Sequence, residues 1–143
     1  MKYFFLSVLL GLFFGINQSF SQCEDSTINL CKAKLAGYAY AGNCIGILLK
    51  GEEKVELHKA FFSGQEYRVV VGCEDFSPRI HFCILDSDQN LIFDNMESNY
   101  LDHFDFELDE AMNLIIVLDL DQDENRKIGK ESSCVSVLIG VKL

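Results

Sequence analysis

Asp119, Asp121 and Asp123 alternate within the run Asp119-Leu-Asp-Gln-Asp-Glu-Asn125. Carboxylate oxygens spaced by two residues are what calcium loops use. The match to such a loop stops there. Counted from Asp119, Glu124 stands where the sixth position needs glycine, and Lys130 where the twelfth needs glutamate. Counted from Asp121, those places fall to Arg126 and Ser132. The run has two readings: a calcium-stabilised loop at Asp119–Asn125, or a polar hairpin loop between two strands. In the second, Arg126, Lys127 and Lys130 neutralise much of its charge.

Other groups that could do chemistry are weaker. Asp105, Glu107 and Asp109 share one face of a strand-like segment and could meet a cation, or simply be its solvated side. Asp86 and Asp88 fall in Asp86-Ser-Asp-Gln-Asn90, where bonding to their own backbone is the simpler role. His58, His81 and His103 are scattered, with no metal-ligand spacing. Cys83 and His81 sit two apart, as neighbours on one strand face. A nucleophilic pair there needs a third group to orient the imidazole, and none is in sequence reach. Ser132-Ser133 and Ser63-Gly64 lack a nucleophile-elbow context. No catalytic centre is expected, and a small exported hydrolase is the weakest alternative.

The six cysteines are Cys23, Cys31, Cys44, Cys73, Cys83 and Cys134, with no Cys-x-x-Cys among them. Zinc and thioredoxin-like chemistry are therefore not indicated. An even count in a small exported domain suggests disulfides. The expected pairs are Cys73 with Cys134, where one strand ends and another begins, and Cys23 with Cys31 across the first helical turns.

The exported character comes from the start of the chain. Met1-Lys2 leads an apolar run from Tyr3 to Ile16, then polar residues and the small-x-small end Ser19-Phe20-Ser21. This is the pattern of a secretory signal peptide over residues 1–21, cleaved after Ser21. It is shorter than the roughly 20 apolar residues of a membrane span. Residues 22–143 then form one domain with no further spanning segment, secreted or periplasmic. The net charge of −10 becomes −11 as Lys2 leaves with the leader. Such a domain does not seek phosphate backbones, so nucleic acid is excluded as a partner, while a cation or a basic protein suits it.

The elements that must position these residues are mostly strands. One helix is expected over Glu24 to Ala36, with Asp25 or Ser26 at its start and Gly37 at its end. It would plug one end of the sheets or cover an edge. Tyr38 to Tyr40 and Cys44 to Leu49 read as two short strands joined by a hairpin turn at Gly42-Asn43. Val55 to Phe62 is another. Tyr67, Val69 and Val71 alternate in the next, and Ile80, Phe82 and Ile84 in a strand expected to return antiparallel to it. Leu91 to Phe93 is short. Phe104, Phe106 and Leu108 alternate with acids, and residues 113–120 are expected to fold back on them about a turn near Ala111. Val135, Val137, Ile139 and Val141 mark the last strand. About nine short strands with no strand–helix alternation predict a mainly β fold, an antiparallel two-sheet β-sandwich of jelly-roll kind with one N-terminal helix.

The run from Val55 through Phe61-Phe-Ser-Gly-Gln-Glu-Tyr-Arg-Val-Val-Val71 resembles the opening of bacterial pre-peptidase C-terminal domains and their GOLD-like relatives. Phe82 to Asn95, with its Asp-rich turn, resembles their following hairpin, and Phe104–Leu108 with Leu114–Leu118 their closing pair. The resemblance covers residues 55 to 143, and departs at Met112-Asn113-Leu114. It implies an accessory or binding module without a catalytic centre or cofactor. The expected function is recognition of a protein or glycan by loops at one end of the sandwich, with Asp94 to Asp102 and its Tyr100 foremost.

Overall fold

The computed structural model describes residues 24–73, 79–129 and 131–143. After helix α1 (Glu24–Lys34) come β1 (Tyr38–Lys50), β2 (Val55–Phe61), β3 (Glu66–Cys73) and β4 (Ile80–Leu85). They are followed by β5 (Leu91–Asp94), β6 (His103–Glu107), β7 (Met112–Leu120), the short helix α2 (Gln122–Ile128) and β8 (Ser132–Lys142). The strands form two four-stranded antiparallel sheets, in the orders β1-β8-β3-β6 and β2-β7-β4-β5. Each early strand thus pairs with its counterpart counted from the end: β1 with β8, β2 with β7, β3 with β6, β4 with β5. That nested order is the jelly roll.

The core lies between the sheets. Val69, Val71, Val135, Val137 and Leu49 from one sheet meet Phe82, Ile84, Leu114, Ile116 and Leu118 from the other, all buried. Rings fill the space that branched residues leave: Phe93 stacks on Phe104 at 4.2 Å, and Phe61 meets Tyr67 edge-on at 5.0 Å. β6 keeps its expected alternation, with Phe104 and Phe106 packed on the core and Asp105 and Glu107 exposed.

Several local expectations are corrected. Residues 38–50 form one strand with a register shift between Tyr40 and Cys44, because both halves pair with the same partner, β8. β3 and β4 lie in different sheets, as do β6 and β7, so neither pair is a hairpin. The connection from β7 to β8 crosses between sheets and contains α2, so it is not the polar hairpin loop either. Pro78 lies outside the described residues.

Helix α1 neither plugs an end nor caps an edge. It lies on the outer face of the first sheet, where Cys31 and Leu35 pack against Val70 and Leu138. Thr27, fully buried, hydrogen-bonds Ser136 on β8. Two strand glycines make room for it. A Cβ on Gly72 would collide with Cys31 Sγ, and one on Gly140 would lie 2.8 Å from Leu35 Cδ2. The helix end is tied as well: Arg68 donates to the Lys34 carbonyl at 3.0 Å and holds Asp105 through two bonds of 2.6 Å. The outer face of the second sheet has no described helix upon it.

Candidate functional site

Connections at the two ends of the sandwich differ. One end carries tight turns at 62–65, 86–90 and 108–111, and the other the longer segments 95–102 and 121–131 beside residues 51–54. The first of these, 95–102, is built around Asn95, which is buried. Its Oδ1 accepts the Phe82 N–H at 2.9 Å, and its Nδ2 donates to the carbonyls of Ile80 at 3.0 Å and Leu101 at 3.3 Å. Its own carbonyl accepts the Tyr100 and Ser98 N–H groups at 2.7 and 3.1 Å. One amide therefore fastens both ends of the loop to β4. The bend is sharp enough to place Asn99 and Tyr100 at φ of 55° and 57°.

Beyond the bend, Tyr100 donates to Asp121 Oδ2 at 2.8 Å, and the Arg79 guanidinium lies 4.6 Å from the tyrosine ring centroid. Burial, and then the hydrogen bond to Asp121, hold the Tyr100 hydroxyl above its ordinary range. Asp102, at the far end of the loop, pairs with Lys34 of α1 and with His103. This fixed backbone leaves in solvent Met96, 52% exposed, and Leu101, 43% exposed, with Glu97, Ser98 and Asn99 exposed between them. At the same end, Lys50, Glu52, Gln122, Arg126 and Glu131 line an open cleft of about 630 Å³. Gln122 donates across its mouth to the Gly51 carbonyl at 2.5 Å.

The three alternating aspartates do different things. Asp119 stands on the outer face of β7, with His81 Nδ1 at 3.0 Å and Lys54 Nζ at 3.1 Å. Asp121 caps α2, accepting the Asp123 and Glu124 N–H groups at 3.1 and 3.3 Å. Asp123 is exposed on the first turn of α2. The structure gives two of the three carboxylates other partners, and among the described residues no group of three or more His, Cys, Asp or Glu converges as metal ligands. Asp86 is a turn-former, as expected: it accepts from the N–H of Asp88 at 2.9 Å and of Asn90 at 2.8 Å.

His81 does gain the third group that the sequence left out of view. Its Nδ1 is 3.0 Å from Asp119 and its Nε2 is 3.1 Å from Asp94, both acids reaching it from neighbouring strands. The set resembles a Cys–His–Asp constellation with Cys83, but its electrostatics run the wrong way. Both ring nitrogens are already engaged, and the hydrogen bond to Asp119 raises the imidazole above its ordinary value. Burial, then Asp94 and Asp119, push the Cys83 thiol up as well. A nucleophilic thiolate needs the opposite surroundings. As arranged, these residues form a cross-strand ionic clamp.

Cys134 is disulfide-bonded, to a partner outside the described side chains. The expected pairings involve Cys23 and the side chain of Cys73, both outside the description.

No protein-family model matches the chain, so the resemblance to pre-peptidase C-terminal domains gains no support there. No curated protein matches it. Among solved structures, the chain is similar to PliG of Aeromonas hydrophila, a periplasmic inhibitor of g-type lysozyme. The TM-score is 0.53 at 14% identity, covering 74% of this chain and 89% of that one. At that identity the likeness is one of fold: a small β domain of the kind found in a periplasmic inhibitor.

Proposed function

We propose that this chain is an exported, non-catalytic protein-binding module. It recognises a cationic protein through the end of the sandwich that carries residues 95–102. The observation that supports this most is the preorganised loop. Asn95 and Tyr100 hold its backbone, while Met96 and Leu101 stand in solvent. A loop already ordered loses little entropy on binding, so its apolar contacts count almost fully toward affinity. The net charge of −10 favours encounter with a basic partner. The Asp94 to Asp102 segment was also the recognition loop expected from the sequence.

The sharper reading is inhibition of a muramidase. The fold is shared with an inhibitor of g-type lysozyme, and the loop end offers Met96 and Leu101 in solvent on a backbone that is already held. Export fits the leader pattern of residues 1–21 and the disulfide at Cys134. No described helix is long and apolar enough to cross a membrane. The test is turnover of peptidoglycan by a purified g-type lysozyme in the presence of the oxidised protein. Stoichiometric inhibition that Met96→Ala/Leu101→Ala abolishes supports the sharper reading. Full lysozyme activity with a saturating excess of the folded protein refutes it.

A further inference from the structure

We propose that two copies of this chain pair through the free edge of β1, antiparallel about a two-fold axis at Ile47, so that the first sheet runs on from one copy into the other. This goes beyond the recognition reading and does not depend on it. β1 is the outermost strand of its sheet, and among the described residues no strand pairs with its other side. Which of its main-chain groups face that side follows from one bond. Gly51 donates to the Glu131 carbonyl at 2.7 Å, one step beyond the Lys50–Ser132 pair. Bonded and non-bonded pairs alternate along an antiparallel ladder. The pairs of Leu49, Ile47 and Ile45 with Ser133, Val135 and Val137 are therefore the bonded ones. Gly46 and Leu48 turn their N–H and C=O groups away from β8, toward the open edge. Lys50 keeps the same parity, its carbonyl accepting the Glu53 N–H at 2.9 Å.

A two-fold axis through any residue of a strand sets even positions opposite even ones, so the outward groups of two copies meet in register. The ladder with β8 is unbroken from Cys44 to Lys50, and Ile47 is its middle. With the axis there, Gly46 of one copy faces Leu48 of the other, each such pair exchanging both of its main-chain bonds. Ile47 meets its own counterpart in a non-bonded pair, where side chains come closest.

Charge selects a second copy as the occupant and β1 as the edge. Residues 38–49 include no charged residue, in a chain of net charge −10. Two such chains repel elsewhere but meet here with no like charges opposed, and a cationic protein gains nothing at an uncharged strand. Leu48 is 44% exposed, and Ile45 and Ile47 are half-buried, so pairing also removes apolar surface from water. A long apolar edge is a ready template for another strand, and the other three edges are blunted. β5 has four residues, and β6 has five and would set Asp105 and Glu107 against their counterparts. β2 places Lys59 on the face that Val55 and Leu57 turn to the core, and an inward lysine disfavours pairing. Antiparallel pairing points the two 95–102 ends in opposite directions, so each copy stays open to its own partner protein.

The test is sedimentation of the oxidised protein up to about 100 µM, where a pairing as weak as about 10 µM is mostly formed. The expected mass is that of two chains. Gly46→Pro removes only an edge-facing N–H, and Leu48→Lys charges an already exposed side chain, so both should stay folded by circular dichroism and sediment as one chain. Amide exchange gives the location: Ile45 and Ile47 should be protected at every concentration, Gly46 and Leu48 only where the pair forms. A mass of one chain throughout overturns the proposal and leaves the edge to a strand of another protein. A two-chain mass in which Gly46 and Leu48 exchange freely, or which folded Gly46→Pro retains, overturns it as well.

Discussion

His81 sits between two carboxylates that come from other strands, and the sign of its contribution to stability follows from that. The hydrogen bond to Asp119 outweighs burial, so the folded state holds the imidazole proton more tightly than the ordinary value of 6.5 allows. The stabilisation is therefore fully present below about pH 6.5 and is lost as pH rises through the folded value. For Asp119, burial pushes upward, but the bonds to His81 and Lys54 win and the carboxyl titrates below its ordinary 3.8. Its contribution is present above about pH 4 and lost as pH falls through the depressed value. Denaturant midpoints should be highest between these limits and fall on the alkaline side. His81→Gln should remove that alkaline fall and cost about 1 kcal/mol at pH 6. An unchanged alkaline slope in the variant would refute the clamp. At Asn95, truncation to Ala strands the buried Phe82 N–H and the Ile80 carbonyl. The expected loss is about 2–3 kcal/mol, read by urea titration; a loss below 0.5 kcal/mol, roughly the scale of an ordinary surface change, would mean the loop is not held by this side chain.

Helix α1 is held by fit as much as by apolar area. Gly72→Ala places a methyl group against Cys31 Sγ, and overpacking of this kind costs roughly 1–3 kcal/mol. Combining it with Cys31→Ala should recover part of the loss, since the sulfur then no longer opposes the new methyl. Strict additivity would show that the collision does not govern the site. For α2, Asp121 serves as cap and Tyr100 acceptor. Excess calcium followed by chelator should leave the thermal midpoint unchanged, and a calcium-dependent rise would return Asp119, Asp121 and Asp123 to the role of ligands. At this scale the sequence was partly legible. The alternation of β6 was plain because it has a single buried face, whereas β3 and β8 are buried on both, their outer faces lying under α1. β1 looked like two strands because Gly42-Asn43 imitates a hairpin turn, while the actual cause is a bulge opposite β8. Asn95 carried no signal beyond a polar residue after a short strand, and its importance comes from β4, thirteen residues earlier.

In the whole molecule, the sheets follow from patterning but their order does not. Alternating segments with turn punctuation required two packed antiparallel sheets. The nesting of β1 with β8 and β2 with β7 depends on partners distant in sequence, which no local period encodes. That nesting brings His81 to Asp119, thirty-eight residues away, and Tyr100 to Asp121. It also separates two exposed apolar ends: Met96 and Leu101 on the long loop, Phe62 and Leu91 among the tight turns. The central claim is that the loop end, and not the other, binds a cationic protein. Calorimetric titration of a purified g-type lysozyme into the oxidised protein tests it most directly. The account predicts saturable one-to-one binding that weakens at least about tenfold, or roughly 1.4 kcal/mol, in Met96→Ala/Leu101→Ala and is unchanged in Phe62→Ala. Absence of saturable binding, or binding that Phe62→Ala weakens and the loop variant does not, would contradict it.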